Sequence, residues 1–178
     1  MSIPQILRYV ILVPHRDSLN AMEDLRKELF GYGFLGAYSF PLSAPLLRVS
    51  SPFSINQLKE FASMIKKGRK NINCNGKNML INSDELSFYG PALDLYTDNA
   101  IIPVSAAEKV IKIYNPVLFS ASIINNIKNN TINEKIIQNN SFSFRSACLR
   151  NLSIKKLGNN DDYYSYEWKM GKEVWLKT

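Results

Sequence analysis

Arg8-Tyr-Val-Ile-Leu-Val-Pro14 is the stretch from which the fold is read. Its apolar and β-branched residues are consecutive rather than alternating, so both faces are to be buried, which defines a central, covered strand. Pro14 brings no N–H to a ladder, and Asp17-Ser18 beyond it offer side-chain oxygens to the first amides of a helix. The spacing of Leu19, Met22, Leu25, Leu29 and Phe30 predicts that helix through Gly31, with those five residues on one face. Gly31, Gly33 and Gly36 end it. Two prolines break the segment 37–45, and Leu46-Leu-Arg-Val-Ser50 reads as a second strand. Ser54 then opens a second helix that carries Ile55, Leu58, Phe61, Ala62 and Ile65 and runs into the basic tail Lys66-Lys-Gly-Arg-Lys70.

Beyond an Asn-rich turn, strands are expected at 78–82, 85–89 and 92–96, and a short helix over 103–113. Pro116-Val-Leu-Phe-Ser-Ala121 reads as a strand, and 123–138 as a helix with Ile123, Ile127, Ile132, Ile136 and Ile137 on it. Strands at 141–149 and 152–157 lead to a closing stretch, 164–176, in which Met170-Gly171 suggests the turn of a hairpin. Ala44-Pro-Leu-Leu-Arg-Val-Ser50 also resembles Asn115-Pro-Val-Leu-Phe-Ser-Ala121. Each follows a strand–helix unit and precedes an isoleucine-rich segment, a pattern that duplication would leave.

A length of 178 residues allows one domain or two small lobes sharing a core. With 46% apolar and 21% charged residues the chain is globular, and 22 Lys and Arg against 15 Asp and Glu give a formal charge of +7. There is a single histidine, His15, which excludes mechanisms that need two imidazoles. Cys74 and Cys148 are too few, and too far from other ligands in sequence, for a structural zinc site; two reduced thiols are expected, with a single disulfide between them as the alternative. No basic segment precedes an apolar core at the start, and no window nears the ~20 apolar residues of a membrane span. A cytoplasmic protein with no membrane partner is expected.

The element order carries a family resemblance. Arg8 to His15 leads into a helix from Ser18; Leu47-Arg-Val-Ser50 leads into Pro52-Phe-Ser-Ile-Asn-Gln-Leu-Lys-Glu60. Near the end, 142–156 is followed by Tyr164-Ser-Tyr-Glu-Trp168 and Glu173-Val-Trp-Leu176. This order resembles the two-histidine phosphoesterases, the superfamily of 2′-5′ RNA ligase-like proteins and cyclic nucleotide phosphodiesterases. The resemblance implies an α+β fold, bilobed and pseudo-symmetric, with two antiparallel sheets around a central cleft and helices outside. Residues 1–178 would then form one bilobed domain, with lobes at about 1–75 and 76–178 and terminal strands crossing between them.

Each lobe of that family supplies one His-x-Thr/Ser motif. One imidazole takes a proton from water while the other protonates the leaving oxygen of a 2′,3′-cyclic phosphate, and the hydroxyls bind the phosphate oxygens. Here the first motif position reads Arg48-Val49-Ser50. The second reads Phe119-Ser120-Ala121, or Ser120-Ala121-Ser122 with a one-residue shift. Neither holds a histidine, and Arg48 does not act as a general base because its guanidinium stays protonated. It does match phosphate, through a planar fork of donors. The resemblance therefore implies a catalytically inactive relative that binds RNA, nucleotide or another phosphate-bearing ligand through Arg48, Ser50, Phe119, Ser120 and Ser122, with no cofactor and no metal. The rival readings are a structural or interaction protein on the same scaffold, and a phosphodiesterase acting through non-histidine residues.

Other features are weaker. Gly31-Tyr-Gly33-Phe-Leu-Gly36 has the letters of a dinucleotide loop but follows a helix instead of a strand. The carboxylates Asp84-Glu85 and Asp161-Asp162 are adjacent pairs, which on a strand would point to opposite faces. Lys66, Lys67, Arg69 and Lys70 form the strongest single-sign patch, a solvated helix end in the simplest reading and a polyanion contact in the functional one. Tyr163-Tyr-Ser-Tyr166, beside Trp168, is a polar-aromatic run suited to a partner or to stacked bases.

Overall fold

A strand buried on both faces needs neighbours on both sides, and the computed structural model gives the opening strand this place. The structure describes residues 6–15, 17–31, 41–68, 72–82, 87–94, 102–114, 142–144, 147–157 and 166–176. Strand β1 (Ile6–Pro14) lies between β2 (Ala44–Val49) and β7 (Ala147–Lys156), antiparallel to both. β5 (Val110–Ile113) and β8 (Tyr166–Leu176) complete a five-stranded antiparallel sheet in the order β5-β2-β1-β7-β8. β3 (Ile72–Asn82), β4 (Ser87–Asp94) and β6 (Phe142–Phe144) pair antiparallel among themselves, with β3 in the middle. With α1 (Asp17–Gly31) and α2 (Ile55–Gly68) this is a mixed α/β structure.

The main core fills the sheet face under the helices. Val10 and Leu12 of β1, Leu46, Leu47 and Val49 of β2, Leu149 of β7 and Leu176 of β8 meet Met22 of α1 and Leu58, Phe61, Ala62 and Ile65 of α2. A bulge lets β2 place two consecutive leucines there. Val10 pairs with Leu47 and Ile11 with Pro45, which leaves Leu46 as the extra residue. The opposite face buries a smaller cluster, Leu7, Tyr9, Ile11, Tyr114, Leu152 and Ile154.

Helix α2 starts as its sequence dictates. The Ser54 hydroxyl accepts from the Gln57 amide at 3.2 Å, and the Gln57 side chain accepts from the Ser54 amide at 2.9 Å, a reciprocal capping box. Phe53 just before it and Leu58 in its first turn are both buried in the main core, the hydrophobic pair that fixes the entry angle. Helix α1 differs from its expected stripe. Met22 is buried and Leu19 packs beside it, but Phe30 is exposed and Arg26 is buried, paired to Glu23 at 3.0 Å.

Several expected boundaries are corrected. The helix expected over 103–113 is a 3-10 helix, Val104–Lys109, followed by strand β5. Val110 and Ile113 both reach the main core because Ile111 bulges out between them, and the strand pairs with β2. The closing stretch is one strand, without a hairpin at Met170-Gly171. Arg150 pairs with Glu173 and Leu152 with Met170, so Gly171 and Lys172 together face the single residue Asn151 in a bulge. A Cβ on Gly171 would lie 3.4 Å from the Asn151 Cβ, an ordinary van der Waals contact, so the bulge has room for a side chain there. The Asn-rich turn is instead the start of β3, and the strands expected at 85–89 and 92–96 are the single β4. The strands expected at 141–149 and 152–157 are β6 and an uninterrupted β7. The strand at 116–121 and the helix at 123–138 lie outside the described residues.

Candidate functional site

The expected motif residues Arg48, Val49 and Ser50 sit at and just beyond the end of β2. In the ladders Arg48 is directly opposite Tyr9 of β1 on one side and Lys112 of β5 on the other. Residues opposite one another in an antiparallel pair share a face, with Cβ atoms about 4.5–5.5 Å apart. Arg48 and Lys112 therefore stand side by side on the face away from the helices. Tyr114, two residues beyond Lys112, extends this ladder by donating its amide to the Leu46 carbonyl at 3.0 Å. Its ring is 6.1 Å from that of Tyr9, and the Lys112 ammonium lies 5.4 Å from its centroid. Both tyrosines are buried, Lys112 is exposed and Arg48 is half-buried. Tyr114 lies under the Lys112 ammonium and Tyr9 beside Arg48 in the ladder; buried as they are, neither offers a ring face for a base to stack on.

Ser50 is tied into the backbone. Its amide donates to the Lys109 carbonyl at 2.8 Å and its hydroxyl to the same oxygen at 3.3 Å, while its own carbonyl accepts from Arg8 Nη1 at 3.3 Å. The hydroxyl hydrogen is thus engaged within the protein, and the side-chain donors that β2 and β5 present on the motif face are those of Arg48 and Lys112. A polar lattice fixes the following loop. Lys109 Nζ donates to Gln57 Oε1 at 3.0 Å and reaches the Pro52 carbonyl at 3.5 Å; Gln57 Nε2 donates to the Ser105 carbonyl at 2.6 Å. The Ser105 hydroxyl donates to the Glu60 carboxylate. Asn151, facing the β8 bulge, accepts from the Phe53 amide at 2.9 Å and donates to the Phe53 carbonyl at 2.8 Å. Arg150 Nε braces the bulge itself through the Gly171 carbonyl at 2.9 Å.

The remaining expected site residues fare differently. Phe119, Ser120 and Ser122 lie outside the described residues, as do Arg69, Lys70, the Tyr163-Tyr-Ser165 run and the carboxylates at 84–85 and 161–162. Lys66 and Lys67 fall on the last turn of α2. Tyr166 packs against the smaller cluster, and Trp168 is 44% exposed. His15 follows β1 and packs edge-on against Trp175, with ring centroids 4.5 Å apart. Six residues of extended strand, about 20 Å, separate it from Tyr9, the partner of Arg48, so the lone imidazole does not serve the motif position. Cys148 is a buried free thiol. Burial first, and then the Glu173 carboxylate, push it up to about 11 against a smaller opposing pull from Arg150, so this sulfur is a poor nucleophile near neutrality.

Lys112 is no candidate from sequence because 103–113 reads as a helix, on which it has no tie to Arg48. Val110-Ile-Lys-Ile113, β-branched at three of its four positions, is the signal that points to a strand instead. Among the described residues, no three His, Cys, Asp or Glu side chains are grouped to hold a metal ion, and no helix is long and apolar enough to cross a membrane. No known family model, curated protein or solved structure matches this chain.

Proposed function

We propose that the chain is a relative of the two-histidine phosphoesterases that has lost their acid–base pair and keeps a site for a phosphate-bearing ligand, RNA or nucleotide. In this reading the fold is bilobed and pseudo-symmetric, with the ligand in the cleft between lobes, Arg48 as its phosphate contact and residues 119–122 across from it. The observation that carries the reading is the position of Arg48 on the motif strand, beside Lys112 on one sheet face. A guanidinium there supplies a bidentate fork for phosphate but no proton acceptor. The formal charge of +7 adds long-range attraction for a polyanion.

Titration of a short single-stranded RNA at two salt concentrations tests this. The expected outcome is measurable binding at low salt, a steep loss as salt rises through counterion release, and weakening by Arg48→Ala. Absence of binding at low salt ends the reading. Assays of 2′,3′-cyclic nucleotides with and without divalent metal ions are expected to give no turnover; clear turnover favours a phosphodiesterase with a non-histidine residue set. The exposed Trp168 and Trp175 on β8 favour an interaction surface as the second reading. Light scattering that shows self-association in a chain indifferent to RNA would select it.

A further inference from the structure

We infer that Lys112 is the second cation of this site and that the Arg48–Lys112 pair selects a phosphate monoester, such as the terminal phosphate of a nucleotide or RNA end, over the diesters of a chain interior. The inference rests on the reading of Arg48 as a phosphate contact. Its own ground is the register of β5. Arg48 opposes Lys112 and Val49 opposes Val110, which leaves Ile111 as an extra residue. That bulge resets the alternation of the strand. Val110 and Ile113 both turn toward the main core, and Lys112 is left opposite Arg48 on the other face.

The Lys112 ammonium is also placed. It lies over the Tyr114 ring, 5.4 Å from the centroid, and that ring is held against Tyr9, the residue opposite Arg48. Two cations with separate donor sets therefore stand beside one pair of buried tyrosines. A monoester has three terminal oxygens and close to two negative charges near neutrality. The Arg48 fork takes two of those oxygens and the ammonium takes the third, as a compact point charge. A diester has two non-bridging oxygens and one charge. The fork occupies both oxygens, so the ammonium shares an oxygen already bonded and meets half the charge. The pair is therefore matched to a chain end.

The test uses three RNAs of four nucleotides and one sequence, carrying free hydroxyl ends, a 5′-phosphate or a 3′-phosphate, titrated at low salt into the full chain and its Arg48→Ala, Lys112→Gln and Lys112→Glu variants. One terminal phosphate is expected to tighten binding by about tenfold over the hydroxyl-ended RNA, a ratio that falls to about one in Lys112→Gln and below one in Lys112→Glu, each variant being compared with its own binding of the hydroxyl-ended RNA. Thermal unfolding of each variant checks that it is folded, and either Lys112 variant alone suffices for the comparison. Equal affinity for all three RNAs, weakened by Arg48→Ala, overturns the role of Lys112 and leaves the Arg48 reading standing. No binding of any of them at low salt overturns both.

Discussion

The two faces of the five-stranded sheet are built from different chemistry. Toward the helices, β1, β2, β7 and β8 present Val10, Leu12, Leu46, Leu47, Val49, Leu149 and Leu176 to an equally hydrocarbon lining from α2. Away from them, the sheet buries Tyr9, Tyr114 and the Cys148 thiol, and β2, β5 and β7 carry Arg48, Lys112 and Arg150 in among the apolar residues. The first face is a means of holding α2 down. Polar groups on the second face cost stability wherever they lose water, which marks it as the face where a role other than packing is to be sought.

The comparison breaks first, if at all, at Phe61, which is wholly buried at the centre of the helix-covered face and packs edge-on to Phe53. Phe61→Ala is expected to cost about 3–5 kcal/mol in denaturant unfolding. A loss under about 1 kcal/mol, the level of an ordinary surface change, would mean that α2 is not what stabilises the sheet. Next comes Asn151 of β7, opposite the β8 bulge, which ties the sheet to the entry of α2 by holding Phe53. Asn151→Ala removes both partners of the Phe53 backbone groups and is expected to cost about 2–3 kcal/mol. Asn151→Asp restores only the acceptor for the Phe53 amide, so it should recover part of that loss.

Cys148 sharpens the comparison through pH. Its folded-state value of about 11 stands above the ordinary 9.0, so the folded chain holds the thiol proton more tightly than the unfolded chain. The resulting stability is fully present below pH 9 and is lost as pH rises through 11. Between these limits the unsubstituted protein is expected to lose on the order of 2 kcal/mol more than Cys148→Ser, which has no proton to release there. Unfolding free energies of both proteins across that range decide it. Parallel curves would show that burial does not hold the thiol neutral.

The same contrast explains what was legible in the sequence. The hydrocarbon face was: the run from Arg8 to Pro14 became the central strand, and Leu58, Phe61, Ala62 and Ile65 became the buried stripe of α2. Periodicity reads such elements because apolar burial alone decides them. The polar face was legible only in part. Arg48 falls on the expected strand β2, but Lys112 falls in a segment that reads as helix, since four residues of Val-Ile-Lys-Ile are too few to separate strand from helix without knowing that β2 lies beside them. The β8 bulge was read as a turn because Gly171 suits both, and only Asn151, twenty residues earlier in the chain, selects between them. In α1 Leu19 and Met22 meet the core as the spacing predicts, and Phe30 does not. Arg26, a residue type expected in water, takes a buried position while Phe30 is exposed.

A smaller effect separates capping from packing within the helix-covered face. Ser54→Ala removes the acceptor of the Gln57 amide and is expected to cost about 1 kcal/mol. Gln57→Ala removes the reciprocal bond and also the link between Lys109 and the Ser105 carbonyl, so it should cost more than Ser54→Ala. Equal losses in the two variants would mean that the lattice around Lys109 does not steady the loop between β2 and α2.

The smallest change in stability is expected at the cations. Lys112→Gln relieves a like-charge cross-strand neighbour, worth about 0.2–1 kcal/mol, and gives up a cation–π contact of about 0.5–1 kcal/mol at an exposed site. The two nearly cancel, so chemical denaturation should place the variant within about 0.5 kcal/mol of the unsubstituted chain. That near-neutrality makes the substitution informative, because a loss of affinity for phosphate-ended RNA in so stable a variant belongs to the ligand contact. Destabilisation by 2 kcal/mol or more, the range of a lost buried contact, would instead make Lys112 part of what holds β5 to β2. The polar face would then be a second packing surface.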